Sequence, residues 1–422
     1  MKTANQLTFT TYEASLKLNP NDPIKIIFDN IDWSFIHPLV KDKYSSQGAD
    51  GYDPIPLYKA QLLIYLGEVG SDRKLASALR YNARLCLLCG FNFLKTPSNG
   101  TFTNFRARLG EDIFYEILHQ LIAQAIALKV IQGGDTAIDS THLWAYANRF
   151  GKKTCSCKGK CRCRRDYSDG DAQWGYKNKD YVFFGYKVHL IVDAKSQLPL
   201  DVKVTPANEG DSPQAKPLLK GTKNRHPQIK IDTSSMDAIY DSYENYRFVI
   251  EEIGAAPIIA LNPRGRVDAI TDSSLYLSDD GTFTCFAGFK VVYWGKDEKR
   301  GRLKFRCPAA LGRCQCLFRS SCSLSAYGRT FYLHPERDYR LIGPIPRGTD
   351  LWREKYNART SVERAYSEEK GSHRLANPRV RGLANVKIHV YLALCAQVIK
   401  RIGTAITKRL ATGPPLPCYV RA

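Results

Sequence analysis

Between residues 356 and 370 the chain reads YNARTSVERAYSEEK, and four of its side chains are spaced for joint chemistry. At about 100° per residue, a helix brings Arg359, Glu363 and Lys370 within about 60° of Tyr356. One face then offers a carboxylate, two cations and a phenol. Leu351, Ala358, Val362 and Ala365 fall on a different face, suited to packing. Asp350 as N-cap and Gly371 as stop bound the expected helix. A solvated helix face with i,i+4 pairing has the same composition, so the meaning of Glu363 depends on which other groups it meets.

The candidates to meet it lie in the middle of the chain. The stretches 136–139, 184–192, 198–205, 229–231 with its continuation, and 256–261 read as strands, with helices after Asn208 and over 242–253. The order of three strands, helix, strand, helix, strand predicts a mixed α/β sheet that starts with a hairpin. Asp139 is expected to end the first strand, and Asp237 to stand at or just past the end of the fourth. An Asp after a strand is commonly a turn or cap residue, and Asp135, Asp232 and Asp241 are nearby competitors. If Asp139, Asp237 and Glu363 converge, their charges repel unless divalent cations neutralise them. Hard oxygen ligands suit Mg²⁺ or Mn²⁺, and a pair of such ions can clamp the attacking and leaving oxygens of a displacement at phosphorus.

The bulk properties favour that chemistry. Lys+Arg 62 against Asp+Glu 41 gives a net charge of +21, which selects a polyanionic partner, nucleic acid first and an anionic membrane surface second. No uninterrupted apolar run approaches 18 residues, and MKTANQLTFT lacks a signal-peptide core, so a cytoplasmic, soluble protein without a membrane partner is expected. A length of 422 residues implies two or three domains. Residues 1–130 read as short helices joined by turns, with Ser71 capping 72–81 and a basic helix carrying Arg106 and Arg108. That pattern is compatible with a helix-turn-helix-like DNA reader and with other small helical domains. Cys86 and Cys89 lie in an apolar run and read as buried thiols. Two further sets stand out among the thirteen cysteines. Cys155, Cys157, Cys161 and Cys163 form C-x-C-x3-C-x-C in a stretch with eight Lys/Arg between 149 and 165. Cys307, Cys314, Cys316 and Cys322 lie in a region rich in Phe, Tyr and Gly. Each set is either free thiols or a structural Zn²⁺ site, since four thiolates leave no open coordination position. Residues 383–402 read as an amphipathic helix with Val386, Val390, Leu394 and Val398 buried, and the Pro-rich end as a loose tail.

The spacing Tyr356, Arg359, Glu363, Lys370 resembles, without a gap, the helix signature of bacterial insertion-sequence DDE transposases. Ile138-Asp139-Ser140-Thr141-His142 is similar to that family's first-aspartate strand, residues 205–212 (TPANEGDS) to the segment after its third strand, and residues 236–242 (MDAIYDS) to its second-aspartate motif. One departure is Ile239, where the family commonly has Gly; a positive φ there would be unfavourable for Ile. The resemblance covers about residues 50–405 and implies an RNase H-like catalytic core with a β-rich insertion, preceded by an all-α domain. The implied segments are a DNA-binding helical domain over 1–130, catalytic parts over 131–263 and 346–405, a Cys-containing insertion over 264–345, and a flexible tail over 406–422. It further implies that Asp139, Asp237 and Glu363 hold Mg²⁺ (or Mn²⁺), while Tyr356, Arg359 and Lys370 contact double-stranded DNA at element ends. Water would attack in cleavage and a DNA 3′-hydroxyl in strand transfer, within a homodimer. A plain RNase H-like nuclease and a catalytically inactive DNA-binding protein are the alternatives.

Overall fold

Five helices near the N-terminus open on a side chain that accepts hydrogen bonds from their first free amides. Asp22 caps α2 (Pro23–Asp29), Asp53 caps α4 (Pro54–Tyr65), Ser71 caps α5 (Asp72–Tyr81), Asn82 caps α6 (Ala83–Cys89) and Ser98 caps α7 (Asn99–Ala127). Shorter helices α1 (Phe9–Leu16) and α3 (Ile36–Val40) complete the region. These data come from a computed structural model that describes residues 9–45, 51–159, 161–163, 165–178, 180–262, 275–334, 339–341 and 343–412. Within α7, Gly110 adopts φ 75° and ψ 169°, a conformation reserved for glycine, so the rod bends there and the expected basic and apolar helices form its two halves. Cys86 and Cys89 are buried, as an apolar run requires.

The sheet comprises β1 (Gly134–Trp144), β2 (Gln173–Asn178), β3 (Tyr181–Asp193), β4 (Pro199–Pro206), β5 (Ile231–Met236) and β6 (Ala256–Ile259). Its order is β2-β3-β1-β5-β6, with β4 also paired to β3, so β2 and β4 follow one another along the same edge. β3 is antiparallel to β1, β2 and β4, whereas β1, β5 and β6 run parallel. Helix α8 (Ala215–Arg225) connects β4 to β5, and α9 (Tyr243–Arg247), continuing into a wider turn over Phe248–Ile253, connects β5 to β6. The mixed α/β sheet behind a helical region therefore matches the sequence reading. Two features differ. β1 runs five residues beyond Asp139, which thus lies inside the strand and does not end it. β2 was not anticipated, because its alternation rests on two aromatics alone, Trp174 and Tyr176, in an otherwise polar and glycine-containing run (QWGYKN).

A separate unit follows. β7 (Leu275–Leu277) and β8 (Phe283–Cys285) form a hairpin, and β9 (Val292–Asp297), β10 (Arg302–Arg306) and β11 (Thr330–Leu333) a three-stranded sheet, with the short α10 (Arg319–Cys322) between the last two. Leu303, Phe305, Phe331 and Leu333 belong to a small core of this unit, distinct from the main one. Then come α11 (Asp350–Asn357), α12 (Thr360–Ser372) and α13 (Leu383–Thr412). α13 is long and apolar enough, by length and composition, to cross a membrane, but most of its apolar stretch is buried inside the protein. It packs against α7, α4, α2 and β4, so helical region and sheet share one continuous core. It also corrects the expected tail: residues 406–412 are helical, and 413–422 lie outside the described residues.

Histidines sit at the seam between the two regions. His119 Nδ1 of α7 lies 2.9 Å from His226 Nε2, and its Nε2 lies 3.4 Å from Asp201 Oδ1 on β4. Tyr115 donates to the same oxygen at 2.6 Å. Gly221 permits this approach, because a Cβ there would lie 1.9 Å from Asp201 Oδ2. Burial, then His119 and Arg225, push His226 down to about 4, against the pull of Asp201 and Glu116, and burial does the same to His389 beneath Tyr65. Because the folded values lie below that of an unfolded His, about 6.5, stability is full above that pH and falls as pH drops toward 4. The urea midpoint should therefore decline between pH 6.5 and 4, by on the order of 2–3 kcal/mol per histidine, and His226→Asn should flatten the decline.

Candidate active site

α12 packs along β1 and β3, α11 lies over β5 and β6, and one lysine of each helix reaches β1. Lys355 Nζ lies 2.8 Å from Asp135 Oδ2, and Lys370 Nζ lies 2.5 Å from Thr141 Oγ1. Between these two lysines, Tyr366 of α12 donates to Asp139 O at 2.9 Å, and Glu363 lies about one turn earlier on the same helix. Residues 135, 139 and 141 alternate onto the same sheet face, and Glu363 is near enough to Asp139 to act on its charge. Ser235 of β5 donates to Lys355 O at 2.9 Å, fixing the neighbouring strand beneath the same helix. The parallel register pairs Ala137 with Ser235, and two more residues bring Asp237 level with Asp139 on a strand about 4.8 Å away.

The helix differs locally from its expected form. It opens on Thr349, not Asp350, and passes through Gly371 to Ser372. Between Asn357 and Thr360 it tightens: Ala358, Arg359, Ser361 and Val362 amides bond three residues back. Thr360 Oγ1 donates to Asn357 O at 2.9 Å, a side-chain bond that competes with helical winding. Tyr356 and Glu363 therefore belong to consecutive helices and not to one uninterrupted face. Tyr356 stacks on Trp352 with centroids 4.8 Å apart, and the Arg359 guanidinium lies 5.8 Å from its ring. Arg359 Nη1 also meets Glu363 Oε1 at 2.8 Å.

The acids influence one another. Burial raises Asp139 to about 6, with Asp237 and Glu363 pushing the same way and the Ser140 amide and Arg359 opposing. Asp237 is raised by burial and by Asp211, against the Ile239 amide and Arg359. In each aspartate Oδ1 accepts a nearby backbone N–H, from Ser140 at 2.7 Å and Ile239 at 2.9 Å. Half-buried carboxylates whose charges repel are what a hard cation neutralises. Ile239 does not strain the turn: positive φ outside glycine is confined, among the described residues, to Lys129, Gln197 and Arg374.

Residues 132–399 match the Transposase DDE domain family, and residues 13–108 the Transposase domain (DUF772). The chain belongs to the DDE transposase family. A Brucella ovis protein assigned as the transposase of insertion sequence element IS6501 is 32% identical over 125 residues, 30% of this chain and 85% of that one. A cryo-EM structure of the piggyBac transposase synaptic complex with hairpin DNA covers 97% of this chain and 84% of its own, at 12% identity and a TM-score of 0.35, a likeness too slight to carry inference. The family acts on DNA by nucleotidyl transfer and generally uses divalent metal ions.

Several neighbours of the acids in this transposase escaped the sequence reading. Asp211 lies 3.0 Å from Lys187 and 3.7 Å from His189 Nδ1, and it sits in the TPANEGDS segment already singled out. Tyr366, three residues after Glu363, places its hydroxyl 2.9 Å from Asp139 O and 2.8 Å from Val188 O, locking α12 to β1 and β3. Tyr240 is buried beside the acids, and burial together with Asp139, Asp211 and Asp237 raises its hydroxyl. Burial and Lys177 lower Lys370. In the helical region Arg108 is exposed over the Tyr44 ring, 5.0 Å away. Arg106, by contrast, is committed to Asp72 and Gln61, with Nη1 3.1 and 3.0 Å from them, so it ties α7 to α5 and α4. The sulfurs of Cys155, Cys157, Cys161 and Cys163 all lie within 4.8 Å of one another. Cys307, Cys314, Cys316 and Cys322 line one pocket together with Cys285.

The raised Asp139 has a measurable consequence. A folded value above the unfolded one means that the charged form opposes folding, so the loss is full above about pH 6 and disappears toward pH 4. Asp139→Asn should raise the Tm of metal-free protein at pH 7 by a few degrees, a gain on the order of 3 kcal/mol, and the gain should vanish near pH 4. Mg²⁺ should raise the Tm of the parent and leave that of the variant unchanged.

Proposed function

We propose that this transposase binds the ends of an insertion sequence and performs metal-dependent cleavage and strand transfer, with Asp139, Asp237 and Glu363 as the ligands of Mg²⁺ (or Mn²⁺). The observation that carries the reading is the packing of α12 on β1 beside the parallel β1–β5 register, with Asp237 and Glu363 both acting on the charge of Asp139. In sequence, 97 and 125 intervening residues separate one acid from the next. An RNase H-like core is supported by the order β4-β3-β1-β5-β6 with its last three strands parallel. A bound divalent ion would polarise the scissile phosphate and make an attacking hydroxyl more acidic.

The chain's own residues supply the remainder. Asp139 and Asp237 are each fixed through Oδ1 by a backbone amide, which orients the carboxylates for a metal ion. Arg359 limits the repulsion around Glu363 and can turn to a DNA phosphate. Lys370, partly buried at the far end, is a point charge for a second phosphate. The flat Trp352–Tyr356 pair offers a surface against which a terminal base could stack. Exposed Arg108 and the helical region of 1–130 extend the phosphate contacts, and two copies acting as a homodimer would bring two DNA ends together.

With Mg²⁺, purified protein should nick element-end DNA and join the freed 3′ end to a target. Glu363→Gln should slow both steps by about a thousandfold or more while leaving DNA affinity within a few-fold. Undiminished activity in that variant would remove Glu363 from the site, and nicking without joining would favour a plain nuclease.

A further inference from the structure

The loop between β1 and β2 has no apolar side chain from residue 151 to 166, reading GKKTCSCKGKCRCRRD. A stretch of that composition cannot bury enough surface to fix its own conformation. Its base is nevertheless anchored. Lys152 and Asp166 exchange backbone hydrogen bonds of 2.6 and 2.9 Å, and Tyr167 stacks on Phe184 of β3 with centroids 4.7 Å apart. Beyond that base the converging groups are four thiols. Two C-x-C legs lie side by side across a turn at Gly159, whose φ is 78°. Cys155 faces Cys161 with sulfurs 3.4 Å apart, and Cys157 faces Cys163 at 3.7 Å.

We infer that Cys155, Cys157, Cys161 and Cys163 form a tetrathiolate Zn²⁺ site that cross-links this basic loop. The distances distinguish the chemistry. A tetrahedral site with Zn–S of about 2.3 Å has sulfur–sulfur edges of about 3.8 Å. A disulfide would need about 2.0 Å. The cross-leg separations lie close to the first value, and all four sulfurs fall within 4.8 Å. Soft thiolates select Zn²⁺ over Mg²⁺, so this site does not compete for the ion that the carboxylates would hold. Eight Lys/Arg between 149 and 165 offset the double negative charge of a Zn²⁺ held by four thiolates. Four ligands close the coordination sphere, so the metal is structural. Each ligand releases its thiol proton to solvent as the metal binds, and no electron transfer is involved.

The test uses full-length protein, kept reduced and loaded with Zn²⁺, then alkylated with iodoacetamide and mapped by mass spectrometry. Cys155, Cys157, Cys161 and Cys163 should react at least tenfold more slowly with Zn²⁺ than after chelation. A variant carrying Cys155→Ser, Cys157→Ser, Cys161→Ser and Cys163→Ser should contain one equivalent of zinc fewer than the parent, with its Tm nearly unchanged because the loop lies outside the core. Equal alkylation with and without Zn²⁺, equal zinc content in parent and variant, or Cys155–Cys161 and Cys157–Cys163 disulfides in protein from reducing extracts would each overturn the inference. None of these readouts involves DNA or the carboxylates, so failure here leaves the transposase reading standing.

Discussion

The seating of α12 on β1 and β3, with α11 over β5 and β6, is the constraint on which the site depends. Side chains of both helices tie them to β1. Lys355 with Asp135 and Lys370 with Thr141 make those ties, and Tyr366 adds a third between them. The repulsion among the acids works against this arrangement. The structure tolerates it because the ties, and the packing of Val362 and Ala365 into the core, lie outside the acidic cluster. Stability is held in one set of contacts and reactivity concentrated in another.

Much of this was legible in the sequence. The capping residue Ser71, the strand alternation and the spacing of Glu363 from Arg359 and Lys370 are local signals that survive into the fold. The class of architecture follows from the order of strands and helices. Nothing in the sequence alone brought Glu363 to Asp139; that pairing rests on a register of strand against helix, which only the assembled structure contains.

What was not legible has physical causes. β2 is recruited by its neighbour β3 and not by its own apolar pattern. The tightened turn at Asn357–Thr360 arises from one hydroxyl competing with helical winding. The extent of α13 beyond residue 402 reflects packing that begins more than 350 residues earlier, at α2. The pairing of Arg106, read with Arg108 as part of a basic DNA-reading helix, was hidden because its partner Asp72 lies on another helix.

The continuous core has a consequence for how such a protein can change over time. α13 is a wall shared by the N-terminal helices and the sheet, so the apparent boundary near residue 130 is a boundary in sequence and not in packing. An N-terminal region from a relative could replace this one only if it fitted the same face of α13. The unit with its own small core at Leu303, Phe305, Phe331 and Leu333 is under no such obligation. Its packing is its own, apart from ties such as Arg340 to Asp241, whereas the N-terminal helices and the sheet must be inherited together.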